Sequence, residues 1–156
     1  MVCTGNICRS PTADGVLRKK IAQAGLVGRV RVDSAGTTDY HVGEAPDRRA
    51  QQHAKKRGYD LSNLRAREVC ASDYVEFDLI LAMDSTHLSF LKRSCPSEYQ
   101  TKVQLFLDFA PEYRQSDVPD PYYGGAEGFE QVLNLIEAGC DGVMKLVQLQ
   151  LCAQSR

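Results

Sequence analysis

No pair of cysteines in this sequence stands at Cys-x-x-Cys spacing. The six cysteines lie at positions 3, 8, 70, 95, 140 and 152, and His41, His53 and His87 do not cluster with them. A zinc site is therefore not expected, and no metal or cofactor is called for. A dominant charge is missing too. Nineteen lysines and arginines face 20 acidic residues, for a formal net charge of −1. Nothing here makes a basic field for nucleic acid or an anionic membrane, and neither is expected as a partner. No apolar run approaches the roughly 20 residues that span a bilayer, and no stretch reads as a secretory signal. Repeats, low-complexity tracts and linkers are absent. What remains is an ordinary globular composition, 43% apolar and 25% charged over 156 residues. It reads as one domain, residues 1–156, long enough for a real core.

The informative stretch is Cys3-Thr4-Gly5-Asn6-Ile7-Cys8-Arg9-Ser10-Pro11. Cys-x5-Arg alone is a weak signal. The residues around it make it strong. Gly5 and Asn6 tolerate positive φ, so a tight loop can turn its N–H groups inward as an anion nest. Ser10 and Pro11 form a good N-cap and N1 pair, which aims a helix N-terminus at the same spot. A cysteine there is held as the nucleophilic thiolate. Arg9 can fold back and grip two phosphate oxygens with its planar fork. A nucleophilic cysteine needs a reducing compartment, so a cytoplasmic protein is expected.

Periodicity supplies the frame. Ala13, Val16, Leu17, Ile21 and Ala24 follow helical spacing from Pro11 to Ala24, with Gly25 placed to end the helix. Arg29 to Ser34 alternates and reads as a short strand. Pro46 to Arg57 predicts a polar helix, and residues 59–70 an irregular basic segment. Phe77 to Met83 is a continuous apolar run, as in a buried parallel strand. A helix from about Ser85 to Lys92 and a weaker strand from Lys102 to Phe106 follow. Residues 107–125 form a long loop, a length that usually marks function. Phe129, Val132, Leu133, Ile136, Cys140, Val143 and Val147 mark a long amphipathic helix, with Gly139 and Gly142 as soft points. Strands alternating with helices predict an α/β fold with a central parallel sheet flanked by helices, and the phosphate loop at an N-terminal strand–helix junction.

The Cys3–Pro11 segment resembles the phosphate loop of low-molecular-weight protein tyrosine phosphatases. Asp120-Pro121-Tyr122-Tyr123 matches that family's general-acid loop, and Asp33-Ser34-Ala35-Gly36 and Met83-Asp84 also look like family segments. The resemblance covers nearly the whole chain. It implies a metal-independent phosphatase acting on phosphotyrosine-containing proteins, with phosphate or vanadate as active-site anions. Two departures stand out. Members of the family carry a short apolar strand before the loop, whereas only Met1 and Val2 precede Cys3. A truncated first strand is expected, leaving unpaired edges on its two neighbours. Many members also have a histidine before an Arg-Ala-Arg segment, bracing the loop asparagine. Leu64 precedes Arg65-Ala66-Arg67 here, so altered support for Asn6 is expected.

The chemistry follows. Cys3 takes the phosphoryl group as a cysteinyl-phosphate. Arg9 and the loop from Thr4 through Gly5, Asn6, Ile7 and Cys8 hold the equatorial oxygens. Ser10 donates its hydroxyl to the Cys3 sulfur or simply caps the helix. Asp120 protonates the leaving phenolate and then activates water; as an Asp-Pro in a loop, it alternatively only starts a turn. Tyr40, Tyr122 and Tyr123 can wall an aromatic slot, and the resemblance favours Tyr40 and Tyr122. Spacing leaves Cys8 open between loop packing and a reversible disulfide with Cys3, and the resemblance favours the disulfide.

Three rivals remain. A protein-arginine phosphatase of the same fold would share Cys3, Arg9 and Asp120 but carry threonine where this chain has Ile7, whose apolar surface at the mouth suits an aryl ring. A thiol-dependent arsenate reductase needs two further closely spaced cysteines, and Cys70 and Cys95 are not close in sequence. A non-catalytic phosphate-binding module would have no use for both Cys3 and Asp120.

Overall fold

Side-chain parity along three short strands sets up two cores. In a computed structural model that describes residues 1–154, β1 (Val2–Cys3), β2 (Ala35–Gly36), β3 (Ile80–Ala82) and β4 (Val103–Leu105) form one parallel sheet in the order β2-β1-β3-β4. Successive residues of a strand face opposite sides. Val2, Ile80 and Ala82 accordingly join Tyr74, Leu91, Cys95 and Val103 in one cluster. Cys3, Leu81 and Met83 join Ala13, Val16, Leu17, Ile21, Val132, Leu133 and Ile136 in the other. The first face is covered by α3 (Ala71–Glu76) and α4 (Ser85–Ser94), the second by α1 (Arg9–Gln23) and α5 (Ala126–Gln154). Helix α2 (Arg48–Lys56) lies against α5 and α1.

The chain leaves β1 for β2 on one side and later returns to β3 on the other. The C-terminal end of β1 is thus the topological switch point, where open α/β sheets hold their ligands. The phosphate loop occupies that end, between β1 and α1.

Several expectations shift. Residues 29–34 are not a strand; the pairing falls on Ala35–Gly36 instead. A parallel ladder needs a partner alongside, and its first backbone amide bond there is Ala35 N–H donating to the Met1 carbonyl at 3.0 Å. The alternation still marks burial, since Val32 is in the core. Helix α1 begins at Arg9, two residues before the expected start, and α2 is trimmed to Arg48–Lys56. Helix α3, short and polar, was not expected, nor were 3-10 turns at Ser97–Lys102 and Phe106–Phe109. Gly139 and Gly142 are close-approach sites rather than soft points. A Cβ on Gly142 would lie 1.8 Å from the Phe109 carbonyl oxygen, and one on Gly139 2.3 Å from the Phe106 ring. No side chain larger than hydrogen lets that turn rest on α5.

Strand β1 is short, as expected, yet central and paired on both sides. Beneath it lies a cavity of about 590 Å³, lined in part by Met1, Val32, Ser34, Leu79, Leu81 and Val147. The Met1 ammonium donates to the Asp33 carbonyl at 3.0 Å. Burial holds its pKa below the ordinary value.

Candidate active site

Cys3 ends β1, and its side chain is buried under the first turn of α1. Asn6 is the one non-glycine residue of the described chain with positive φ, at 56°. It turns the loop, and asparagine tolerates that conformation. Gly5 does not adopt positive φ. A Cβ there would lie 2.8 Å from His41 Cδ2, so a larger residue would push the partly exposed His41 ring aside. Among the described residues, no protein acceptor takes up a backbone N–H between Thr4 and Cys8. Those N–H groups and the N-terminus of α1 are the donors an anion would meet.

Ser10 is not the N-cap. That position falls on Cys8, whose side chain caps nothing. The Ser10 hydroxyl instead lies 3.0 Å from Cys3 Sγ, accepts from Asn6 Nδ2 at 2.8 Å, and is 3.3 Å from the Ala35 carbonyl. The hydroxyl can donate its proton to the Ala35 carbonyl or share it with the sulfur, while Asn6 donates to one of its two lone pairs. Asn6 also donates to Ser34 Oγ at 3.0 Å and accepts from the Arg67 N–H at 3.0 Å. Leu64 takes no part, and Asn6 is fully braced by these other groups.

Arg9 is 4% exposed. Its Nη1 donates to Asp84 Oδ2 at 2.8 Å and to the Val118 carbonyl at 3.0 Å; its Nη2 lies 3.4 Å from Asp120 Oδ2. The residue after Cys3 is held as well. Thr4 Oγ1 lies 2.8 Å from Nε2 of the buried His87. Asp84 Oδ1 caps α4 by accepting from the His87 N–H at 2.9 Å. His87 Nδ1 lies 3.0 Å from the same oxygen, but off hydrogen-bond alignment. Burial, opposed by the Asp84 carboxylate, pushes the imidazole down to a pKa of about 4, so it is neutral near pH 7.

Asp120 sits on the long loop with 42% of its side chain exposed. Its Oδ1 accepts from the Tyr122 N–H at 3.0 Å. The loop's upstream arm is anchored by Val118 N–H donating to the Met83 carbonyl at 2.8 Å and by Asp117 accepting from Ser85. Asp120 thus faces Arg9 across the mouth, on a segment held from behind.

Tyr40 is 76% exposed, and Tyr122 meets Tyr123 edge-on at 5.0 Å. Ile7 departs from expectation. It does not spread an apolar face at the mouth but packs with Cys8, Ala50, Ala66 and Phe129, only 9% exposed. Cys3 and Cys8 are both free and buried. Burial foremost, and Asp47 and Cys3 next, push the Cys8 thiol up to a pKa of about 12, so it stays protonated. Cys95 packs in the α3–α4 core and Cys140 in the α1–α5 core, and burial raises both thiols. Neither stands in a relay from Cys3. Among the described residues no cluster of metal-ligating side chains forms, and no helix is long and apolar enough to cross a membrane.

Three residues of the site escaped sequence reasoning: His87, Asp84 as the partner of Arg9, and Arg49. Asp84 stood out in sequence only with Met83, as a segment resembling the family, with no partner assigned to it. Arg49 looked like one cation of a polar helix. It stands over the Tyr122 ring at 5.3 Å.

A cysteine at a strand end, a serine on its sulfur, a buried arginine and a facing carboxylate together define a cysteine-dependent phosphatase. The comparisons agree. The family model for low molecular weight phosphotyrosine protein phosphatase matches residues 1–153. A putative low molecular weight protein-tyrosine-phosphatase of Synechocystis, slr0328, is 46% identical over 144 residues, spanning 92% of this chain and 91% of the relative. A crystal structure of a protein tyrosine phosphatase from Entamoeba histolytica, with Hepes in its active site, superposes with a TM-score of 0.92 at 39% identity, covering 96% of this chain and 95% of that one. The drosophila arginine phosphatase DARP superposes at 0.85 with 31% identity over 94% of each chain. The chain belongs to the low molecular weight phosphotyrosine protein phosphatase family, and it is a hydrolase.

Proposed function

We propose that the chain hydrolyses phosphotyrosine in proteins through a cysteinyl-phosphate on Cys3, without a metal in any step. The observation that carries this is the 3.0 Å approach of Ser10 Oγ to Cys3 Sγ beside the buried Arg9, with Asp120 aimed at the same arginine. The Cys3 thiolate attacks phosphorus, and the phosphorus–oxygen bond to the phenol breaks in line. Arg9 and the loop N–H groups hold the three equatorial oxygens, where charge is stabilised as the transition state forms. Asp120, protonated in the Michaelis complex, gives its proton to the departing oxygen. The carboxylate then takes a proton from water, which attacks the cysteinyl-phosphate. Cys3 leaves as thiolate, with the Ser10 hydroxyl on its sulfur. Tyr40 and Tyr122 flank the aryl group. Phosphate and vanadate bind the same loop as anions. A reactive thiol works in a reducing compartment, which supports a cytoplasmic protein, and residues 1–156 are read as one phosphatase domain.

The second reading, a protein-arginine phosphatase, draws support from the likeness to DARP and from the burial of Ile7, which leaves less apolar surface at the mouth than an aryl-selective site would use. A panel of phosphotyrosine, phosphoarginine and phosphoserine peptides decides. The phosphotyrosine peptide is expected to give the highest kcat/KM, and a larger value for phosphoarginine would overturn the proposal.

Asp120→Ala tests the acid. On aryl phosphates with poorly acidic leaving phenols it should cut kcat/KM by roughly 10²–10⁴, and the loss should shrink as the phenol becomes more acidic. A small uniform loss would mean that Asp120 only shapes its loop.

A further inference from the structure

We infer that Arg49 is a positioning residue, a strap that ties the general-acid loop to the phosphate loop and keeps Asp120 aimed at the leaving group. The strap is built in three links. Asp47, the N-cap of α2, fastens that helix to the phosphate loop through its backbone N–H, which donates to the Ile7 carbonyl at 2.8 Å. The Asp47 carboxylate grips Arg49. Its Oδ1 accepts from the Arg49 backbone N–H at 2.8 Å and from Nε at 3.1 Å, and its Oδ2 accepts from Nη2 at 3.0 Å. Two of the three guanidinium nitrogens are thereby committed along one edge. The remaining nitrogen, Nη1, donates to the Tyr122 carbonyl at 3.0 Å.

The guanidinium face is used as well. It lies 5.3 Å from the Tyr122 ring centroid and 5.0 Å from that of Phe129, near the start of α5. Stacking on two rings and a fixed fork make this a two-sided clamp that lysine cannot copy. Asp47 is only partly buried. Burial would raise its carboxyl, but the hydrogen bonds from Arg49 outweigh it and hold the group below the usual carboxylate range. The clamp stays ionised on both sides through the neutral range.

The need for such a strap is local. The upstream arm of the acid loop is pinned by Val118 and Asp117. The downstream arm runs through exposed Tyr123 and then Gly124-Gly125, a pair with large conformational freedom, before α5 begins at Ala126. Arg49 grips this arm at Tyr122, and the Tyr122 N–H in turn holds Asp120 Oδ1 at 3.0 Å. Where Arg49 holds Tyr122 therefore sets where Asp120 delivers its proton.

The inference rests on the reading of Asp120 as the general acid, and one experiment separates the two. Aryl phosphates with leaving phenols of graded acidity are turned over by the parent, Arg49→Met, Arg49→Lys, Asp120→Ala and the Arg49→Met/Asp120→Ala double variant. The inhibition constant of inorganic phosphate and the Tm are measured on each. Arg49→Met should lose about tenfold in kcat/KM on the least acidic phenols and less than about twofold on the most acidic. Phosphate inhibition should stay within twofold, because the phosphate loop is untouched. Arg49→Lys should fall between, and Arg49→Met should cost little further once Asp120 is gone. A graded loss for Asp120→Ala with a flat profile for Arg49→Met would overturn the strap alone. A flat profile for Asp120→Ala would sink the acid assignment and the strap with it. A loss in Arg49→Met that appears only on peptides with acidic residues beside the phosphotyrosine would also overturn it, making Arg49 a substrate contact.

Discussion

Extending the chain by four to six apolar residues ahead of Val2 should raise its Tm. Strand β1 occupies only two residues of the sheet's central position, and a cavity of about 590 Å³ lies below it, between the segment leading to β2 and the start of β3. Each added residue can make ladder hydrogen bonds and bury a side chain on one of the two cores. Four side chains at about 2 kcal/mol each, with four ladder bonds at about 1 kcal/mol, oppose backbone ordering of about 1.5 kcal/mol per residue. This leaves roughly 6 kcal/mol, an upper figure because extended-chain references overstate burial. At about 2–4 °C per kcal/mol for this size, half that amount raises Tm by roughly 6–12 °C. Differential scanning calorimetry of the parent and extended chains reads it directly. The buried Met1 ammonium adds a signature. Its pKa is lowered by burial from an ordinary 8.0. The folded state then binds fewer protons than the unfolded one, and stability rises with pH up to about 8. The extension turns that ammonium into an amide, so the rise should vanish in the longer chain. An extended protein that melts no higher and keeps the parent's pH slope would show that the sheet has no room for a longer β1.

Cys3→Ser should abolish turnover yet still bind phosphate and vanadate, because the serine hydroxyl stays protonated while the N–H donors are unchanged; residual activity within tenfold of the parent would remove Cys3 as nucleophile. Ile7→Thr should raise the phosphoarginine to phosphotyrosine ratio of kcat/KM values, since it trades apolar bulk beside Cys8 and Phe129 for a hydroxyl; an unchanged ratio would show that Ile7 does not set the choice. His87 is held near a pKa of 4 by burial, against an ordinary 6.5. The stability it confers is whole above pH 6.5 and is lost as pH falls toward 4, by roughly 3 kcal/mol. A Tm profile with no drop in that window, or one that His87→Gln leaves unaltered, would refute this role.

That Cys3, Arg9 and Ser10 come together could be read directly, because they lie within eight consecutive residues and the chemistry proposed for them depends on that spacing. The same locality explains what was missed. Val30 and Val32 alternate as a strand does, but strand assignment depends on a partner, and the ladder starts only at Ala35. Ile7 reads as a mouth residue in sequence, yet α2 and α5 close over it through Ala50 and Phe129. Leu64 in place of the family's histidine implies altered support for Asn6. Ser34 and the Arg67 N–H, 28 and 61 residues away, restore its bonds.

The most instructive misses are the aspartates. Asp47 and Asp84 each precede a helix, and an N-cap accounts for each of them fully in sequence terms. In the fold each carboxylate has two oxygens and uses them differently. Asp84 caps α4 with Oδ1, through the His87 N–H, and holds Arg9 with Oδ2. Asp47 caps α2 with Oδ1 and grips the Arg49 guanidinium with both oxygens. A capping carboxylate is already fixed in place by the helix it starts, so its free oxygen is a preorganised acceptor at no further ordering cost. Parallel α/β sheets begin their helices at the same edge where they bind ligands. Helix caps therefore stand near the site by construction, and an arginine facing such a cap belongs to the site on geometric grounds even where its own sequence neighbourhood is silent.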